Sequence, residues 1–235
     1  MAEIIELKNA GFSAQNRKIL QNVSISFEAS KATAIVGPSG GGKSTLLKLA
    51  AGLLVPDQGG EVLYNGKNIA HMNRAETLEF RREAAFVFQD SALWANQNLF
   101  QILELPLRIH FPEMTKKERE KRIKSAVAEA GYKKDLGVRP SQLSMGEQKL
   151  IAFARAMLCS PTLLFLDEWT ESLDETARDH LVNLVKIRRR EKASILFVSH
   201  DLRTIKDVAD DVIIIVDGTA TFATSIDLIV DNAVF

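Results

Sequence analysis

Gly37-Pro38-Ser39-Gly40-Gly41-Gly42-Lys43-Ser44-Thr45 is the stretch on which the fold turns. It fits the pattern G-x-x-x-x-G-K-S/T, a phosphate-binding loop. Glycines let the backbone curl so that successive N–H groups point inward at anionic oxygens. A helix starting directly afterwards adds its positive N-terminal pole and unpaired N–H groups. On this reading Lys43 reaches the β- and γ-phosphates of a nucleotide, and the Ser44 hydroxyl ligates Mg²⁺. A plain glycine-rich turn is the alternative. The apolar run Thr33–Val36 before the loop, and the amphipathic pattern from near Lys43 to Gly52 after it, favour the phosphate loop.

The same alternation of short strands and helices extends in both directions. Upstream, Glu3–Lys8 and Val23–Glu28 have period-two apolar residues and read as strands. Downstream, Glu61–Tyr64 reads as a strand ending in the hairpin-type turn Asn65-Gly66, and Ala85–Phe88 as another strand. Leu163–Leu166, Ile195–Val198 and Val212–Val216 are continuous apolar runs, as expected of strands buried on both faces. Asp174–Arg190 and Asp201–Ala209 supply helices between them, and Gly146–Cys159 supplies one before them. From about Asn98 to Gly131 the pattern is helical and highly charged, with a break at Pro112. Strands alternating with helices predict an α/β fold with a mostly parallel sheet. The charged block interrupts that alternation and predicts a separate helical lobe. The segment Ser225–Phe235 reads as either a short docking helix or a frayed tail.

Leu163-Leu164-Phe165-Leu166-Asp167-Glu168 is an apolar strand ending in two adjacent acids. Strand alternation alone aims such neighbours apart. At a strand end the chain can turn and bring both to one site. Asp167 then holds Mg²⁺ through its water shell, and Glu168 polarises the attacking water near the γ-phosphate. The alternative is an acidic turn or helix cap, and the phosphate loop upstream decides against it.

Composition bounds the rest. The 235 residues are 46% hydrophobic and 26% charged, the balance of an ordinary globular chain large enough for one substantial core. Thirty basic residues offset thirty acidic ones, so the basic excess usual in nucleic-acid binding is missing. A single cysteine, Cys159, excludes an internal disulfide framework and reads as an inert buried thiol. The opening MAEIIELKNAGF is not a signal-peptide pattern, and the apolar runs are too short to span a bilayer. If the chain serves a membrane, another chain provides the spanning part.

Leu143-Ser144-Met145-Gly146-Glu147-Gln148 precedes the helix that leads to the carboxylate strand. Together with the phosphate loop it resembles the ABC ATPase family, whose signature reads L-S-G-G-Q, over nearly the whole chain and in the family's order. The resemblance implies a P-loop NTPase core at residues 1–90 and 160–235. It also implies an N-terminal antiparallel β subdomain and a helical subdomain at 91–159, all within a single ATPase domain. It matches Gln89 to the Q-loop glutamine that senses γ-phosphate and metal. Ser172-Leu173-Asp174 matches the D-loop, His200 the switch histidine and Phe12 the ring that stacks on adenine. Taken singly, Gln89 and His200 are ordinary polar residues at strand ends, Phe12 is core, and Ser144-x-x-Glu147 is also a capping box.

The family's mechanism implies ATP and Mg²⁺ bound between two chains paired head to tail, with Ser144 and Gly146 facing the partner's nucleotide. It implies a transmembrane permease partner and a peripheral position at the cytoplasmic face of the inner membrane. Two departures stand out. Met145 replaces a glycine, where it can crowd the partner's nucleotide, and Trp169 replaces a proline, where its ring suggests packing against the partner or a nearby loop. The phrase Asp90-Ser91-Ala92-Leu93-Trp94, with the later Leu105-Pro106-Leu107-Arg108, is similar to ATPases of Mla/Mce-type phospholipid transport and of lipoprotein release. Apolar groups there are either core or a docking groove for a membrane chain. Competing readings are an ABC ATPase of translation or DNA repair, a non-catalytic nucleotide-binding regulator, and a GTPase. One phosphate loop without sustained heptads counts against the first. Lys43, Glu168 and His200 count against the second, and the missing N-K-x-D against the third.

Overall fold

Helix α1 (Lys43–Ala50), which follows the phosphate loop, lies sandwiched between two sheets in a computed structural model that describes residues 2–223. One sheet is antiparallel, in the order β2 (Arg17–Glu28), β1 (Glu3–Ala14), β4 (Glu61–Tyr64), β5 (Lys67–Asn68). The other has six strands, in the order β10 (Thr219–Ala223), β9 (Asp211–Val216), β3 (Ala32–Val36), β8 (Ser194–Val198), β7 (Leu163–Asp167), β6 (Ala84–Val87). The five strands from β9 to β6 are mutually parallel, and β10 joins the edge antiparallel. The remaining helices are α2 (Arg74–Glu83), α3 (Leu99–His110), α4 (Lys116–Glu129), α5 (Met145–Met157), α6 (Glu175–Arg190) and α7 (Leu202–Val208). The chain is therefore α/β with a mostly parallel core sheet and an antiparallel N-terminal sheet, as the sequence predicts.

Strand alternation divides the core into two layers. Ala34, Leu164, Leu166, Ile195, Phe197 and Val212 face one way, toward α3–α7. Ile35, Leu163, Phe165, Leu196, Val198 and Ile213 face the other way, toward α1 and the antiparallel sheet. Both faces are covered, which explains the uninterrupted apolar runs. The helical block meets the sheet mainly through α5, on which α3 and α4 pack and which itself lies against β6. Leu103 of α3, Ile123 and Val127 of α4 and Ile151 of α5 belong to the same apolar cluster as Leu164 and Phe197.

The predicted breaks hold with small shifts. The charged block divides into α3 and α4 around Pro112, and α3 runs through Pro106. Asn65 and Gly66 both take positive φ, 48° and 78°, and close the β4–β5 hairpin. α2 is an element the sequence reading does not contain. Asn73 caps it in a reciprocal box with Glu76, and only Phe80 is buried. Arg81 of α2 donates to Ala51 O and Gly52 O, both at 2.7 Å, and so closes the C-terminal end of α1. The reading of Ser225–Phe235 lies outside the described residues.

Candidate active site

Parallel pairing brings the functional side chains together. β3, β6, β7 and β8 run the same way and nearly in register, with Ile35 and Asp167 both opposite Val198, and Val87 opposite Leu166. Their carboxyl ends open on one edge, where α/β sheets bind ligands. The phosphate loop leaves β3, Gln89 follows β6, Glu168 follows β7, and His200 follows β8. A cleft of ≈ 760 Å³ on this edge is lined by Ser39, Gly40, Gly42, Lys43, Ser44, Thr45, Gln89, Glu168 and His200, among others.

The loop's glycines are required by space and by dihedral. Gly37 has φ +141°, and a Cβ there would lie 2.0 Å from Ile215 O. Gly42 has φ +104°, and a Cβ there would meet Leu20 Cδ2 at 2.8 Å. Gly41 N donates to Pro38 O at 3.1 Å and tightens the turn. Lys43 is buried, and its Nζ donates to Gly37 O (2.8 Å) and Pro38 O (3.0 Å), so the ammonium already overlies the cradle. Burial pushes its pKa down, against the pull of Glu168 and Asp167.

Ser44 Oγ donates to Asp167 Oδ1 at 2.8 Å across 123 residues of sequence. A hydroxyl and a carboxylate oxygen in contact are hard donors that suit Mg²⁺, an ion that keeps most of its shell for water and phosphate. Among the described residues no cluster of three or more His, Cys, Asp or Glu forms a metal cage. Burial pushes the Asp167 carboxyl up, and the Ser44 hydrogen bond and nearby lysines pull it back. Glu168 is likewise pushed up by burial, with His200 opposing. Its Oε1 lies 3.1 Å from His200 Nε2 but makes no hydrogen bond, so a buried carboxylate oxygen is left open. Such an oxygen can accept a proton from a water held in the cleft. Gln89 Nε2 donates to Glu171 Oε2 at 3.1 Å.

Other predicted residues sit elsewhere. Ser144 caps α5 in a reciprocal box with Glu147, which also pairs with Lys134. Gly146 abuts the segment Ser172-Leu173-Asp174, where a Cβ would lie 3.1 Å from Ser172 O. Asp174 caps α6 by accepting from Ala177 N at 2.8 Å. None of these three lines the cleft. Phe12 is half-buried against the apolar cluster around α1, and the nearby cleft wall is Ala14, Gln15, Arg17, Lys18 and Ile19. The sequence reading overlooks that wall, although two cations beside the Asn16 turn are its signal. Trp169 corrects its expectation. It is fully buried, edge-on to Phe197 at 5.3 Å, so the ring packs into the chain's own core and not against a partner. Met145 is 68% exposed at the tip of α5. Cys159 is half-buried, and burial raises its thiol pKa, which suits an inert thiol.

A glycine cradle at the end of a parallel strand, a lysine over it and a Ser–Asp pair beside it define a P-loop nucleoside triphosphatase. The model for the ABC transporter family matches residues 20–171. The phospholipid-transport ATP-binding protein MlaF of Escherichia coli K12 is 32% identical over 218 residues, covering 92% of this chain and 80% of MlaF. The nickel-import ATP-binding protein NikE of Shigella flexneri is 34% identical, covering 89% of this chain and 80% of NikE. An uncharacterised ABC transporter ATP-binding protein of E. coli K12, YejF, is 34% identical over 85% of this chain, which spans only 38% of YejF. The ATP-binding cassette MJ0796, solved as a dimer with ADP and Pi, superposes with TM-score 0.85 at 27% identity, covering 94% of this chain and 98% of that one. The chain belongs to the ABC transporter family and is an ABC-type ATPase that binds and hydrolyses ATP.

Proposed function

We propose that this ATPase works as a head-to-tail pair beneath a transmembrane permease and powers the movement of a lipid-class cargo. One observation carries the pairing. The cleft presents the cradle and the hydrolytic groups, whereas Ser144, Gly146 and Asp174 stand outside it with Met145 exposed beside them. A triphosphate in the cradle is covered on one side, and the tip of α5 from a second copy would supply donors for the other. Lys43 would hold the β- and γ-phosphates, Ser44, Asp167 and Gln89 would hold Mg²⁺, and the bound ion would neutralise charge on the phosphate oxygens. Glu168 would orient and deprotonate the attacking water, with His200 and Gln89 beside the γ-phosphate. ATP would favour the closed pair over the open one, and loss of the γ-phosphate would release it. That MJ0796 was solved as a dimer supports pairing.

Among the described residues no helix is long and apolar enough to cross a membrane, so membrane work would come through a permease, with this subunit peripheral on the cytoplasmic face. Trp94 and Ile109, 46% and 49% exposed beyond Gln89, are apolar groups suited to docking it. The lipid cargo rests on the likeness to MlaF and on the segment 90–108. Glu168→Gln tests the mechanism. With saturating ATP and Mg²⁺ it should bind nucleotide, hydrolyse at least ~100-fold more slowly and double its mass in solution scattering. A nucleotide-bound species that stays single would overturn the pairing. Phospholipid retained by the intact complex supports the cargo. ATPase stimulation by Ni²⁺, the ion NikE's name specifies, would replace it.

A further inference from the structure

Lys149, on α5, is a buried cation that the nucleotide site does not use. It is 2% exposed, and an ammonium so buried must replace its lost water with acceptors. Its Nζ donates to Gln89 O at 2.5 Å and to Glu168 O at 2.9 Å. Those carbonyls follow two different strands, β6 and β7, and belong to two residues whose side chains line the cleft. Burial pushes the Lys149 pKa down, and the charges of Glu171, Asp167, Glu168 and Asp90 pull it back up. Further along α5, Arg155 donates to Ala92 O (2.7 Å) and Ser91 O (3.1 Å). Ser91 and Ala92 both have left-handed φ, 63° and 44°, a conformation that non-glycine residues hold only when their surroundings impose it. Glu168 has the same strain, φ 44°, with its N–H held by Val198 O at 3.1 Å and its carbonyl held by Lys149.

The geometry points to Lys149 as a positioning residue for hydrolysis: its ammonium locks the backbone of Gln89 to that of Glu168 and both to the helix that carries Ser144 and Gly146. With Arg155 it makes α5 a two-point clamp on residues 89–92. A shift of the α5 tip is thereby delivered to the carbonyl of Glu168 through one side chain. An apolar side chain of similar length would leave two carbonyls unpaired and the peptide of Glu168 free to relax from its strained angle. This inference rests on Glu168 being the base.

The test uses the full chain with Mg²⁺ and ATP, reading phosphate release, ATP affinity and thermal unfolding for Lys149→Met, Lys149→Arg and Lys149→Gln, with Glu168→Gln as reference. Lys149→Met should lower kcat at least tenfold while KM and Kd for ATP stay within threefold. Lys149→Arg, which keeps charge and donors, should recover a third or more of the parental kcat. If Lys149→Met does not fold, Lys149→Gln is read instead, and a kcat loss of fivefold or more is expected because one of the two bonds is gone. Parental kcat in a folded Lys149→Met or Lys149→Gln, or equal losses in the Met and Arg variants tracking their melting, would overturn the assignment. A Glu168→Gln chain that hydrolyses normally removes the base assignment as well. A silent Lys149→Met beside an inactive Glu168→Gln overturns this inference alone.

Discussion

Gly37 is the residue that tolerates least. At φ +141°, with a carbonyl 2.0 Å from where a Cβ would stand, Gly37→Ala forces the loop or β9 to move. It should destabilise the fold by more than ~2 kcal/mol, seen as a lower urea midpoint at unchanged slope, and it should abolish nucleotide binding. At this scale the cradle, Asp167 and Glu168 are legible in the sequence because each is a local pattern whose chemistry demands its spacing. Phe12 is not. The β1–β2 ladder slips on both sides of it, between Ala10 and Phe12 and again between Phe12 and Ser13, so alternation no longer tells which face its ring takes. Lys149 is equally silent in sequence, since its meaning lies in two backbone carbonyls 60 and 19 positions away.

At the level of elements, caps set the boundaries more sharply than apolar periodicity does. α5 begins one residue before the predicted Gly146 because Ser144 and Glu147 bond reciprocally across the first turn. Removing that hydroxyl in Ser144→Ala should lower stability by about 1 kcal/mol, measured by urea titration without nucleotide. A larger ATPase loss than this explains would mark a contact made only in the assembled pair. α2 escapes the sequence reading because it buries only Phe80 and otherwise carries charge on every side. Its legible signal is the pair Asn73 and Glu76, a capping box with no apolar stripe behind it. The helical block shows a related effect. Charge on the outer faces of α3 and α4 hides inner faces that share the apolar cluster with β7 and β8.

For the whole molecule, that shared cluster predicts that the helical lobe and the sheet unfold together. Leu103→Ala on α3 and Leu164→Ala on β7 should each lower the free energy of a single unfolding transition by about 2–5 kcal/mol. Two separated transitions, with Leu103→Ala moving only one, would contradict a common core. The phosphate-loop helix has the opposite character from the clamp of α5. α1 is packed between both sheets, and Arg81 grips the carbonyls at its far end. That packing predicts a stationary seat for the cradle at its head. In the proposed pair, a stroke driven by ATP would then fall to the parts that surround the nucleotide from outside, the stretch after β6 and the tip of α5, closing on a socket that stays still.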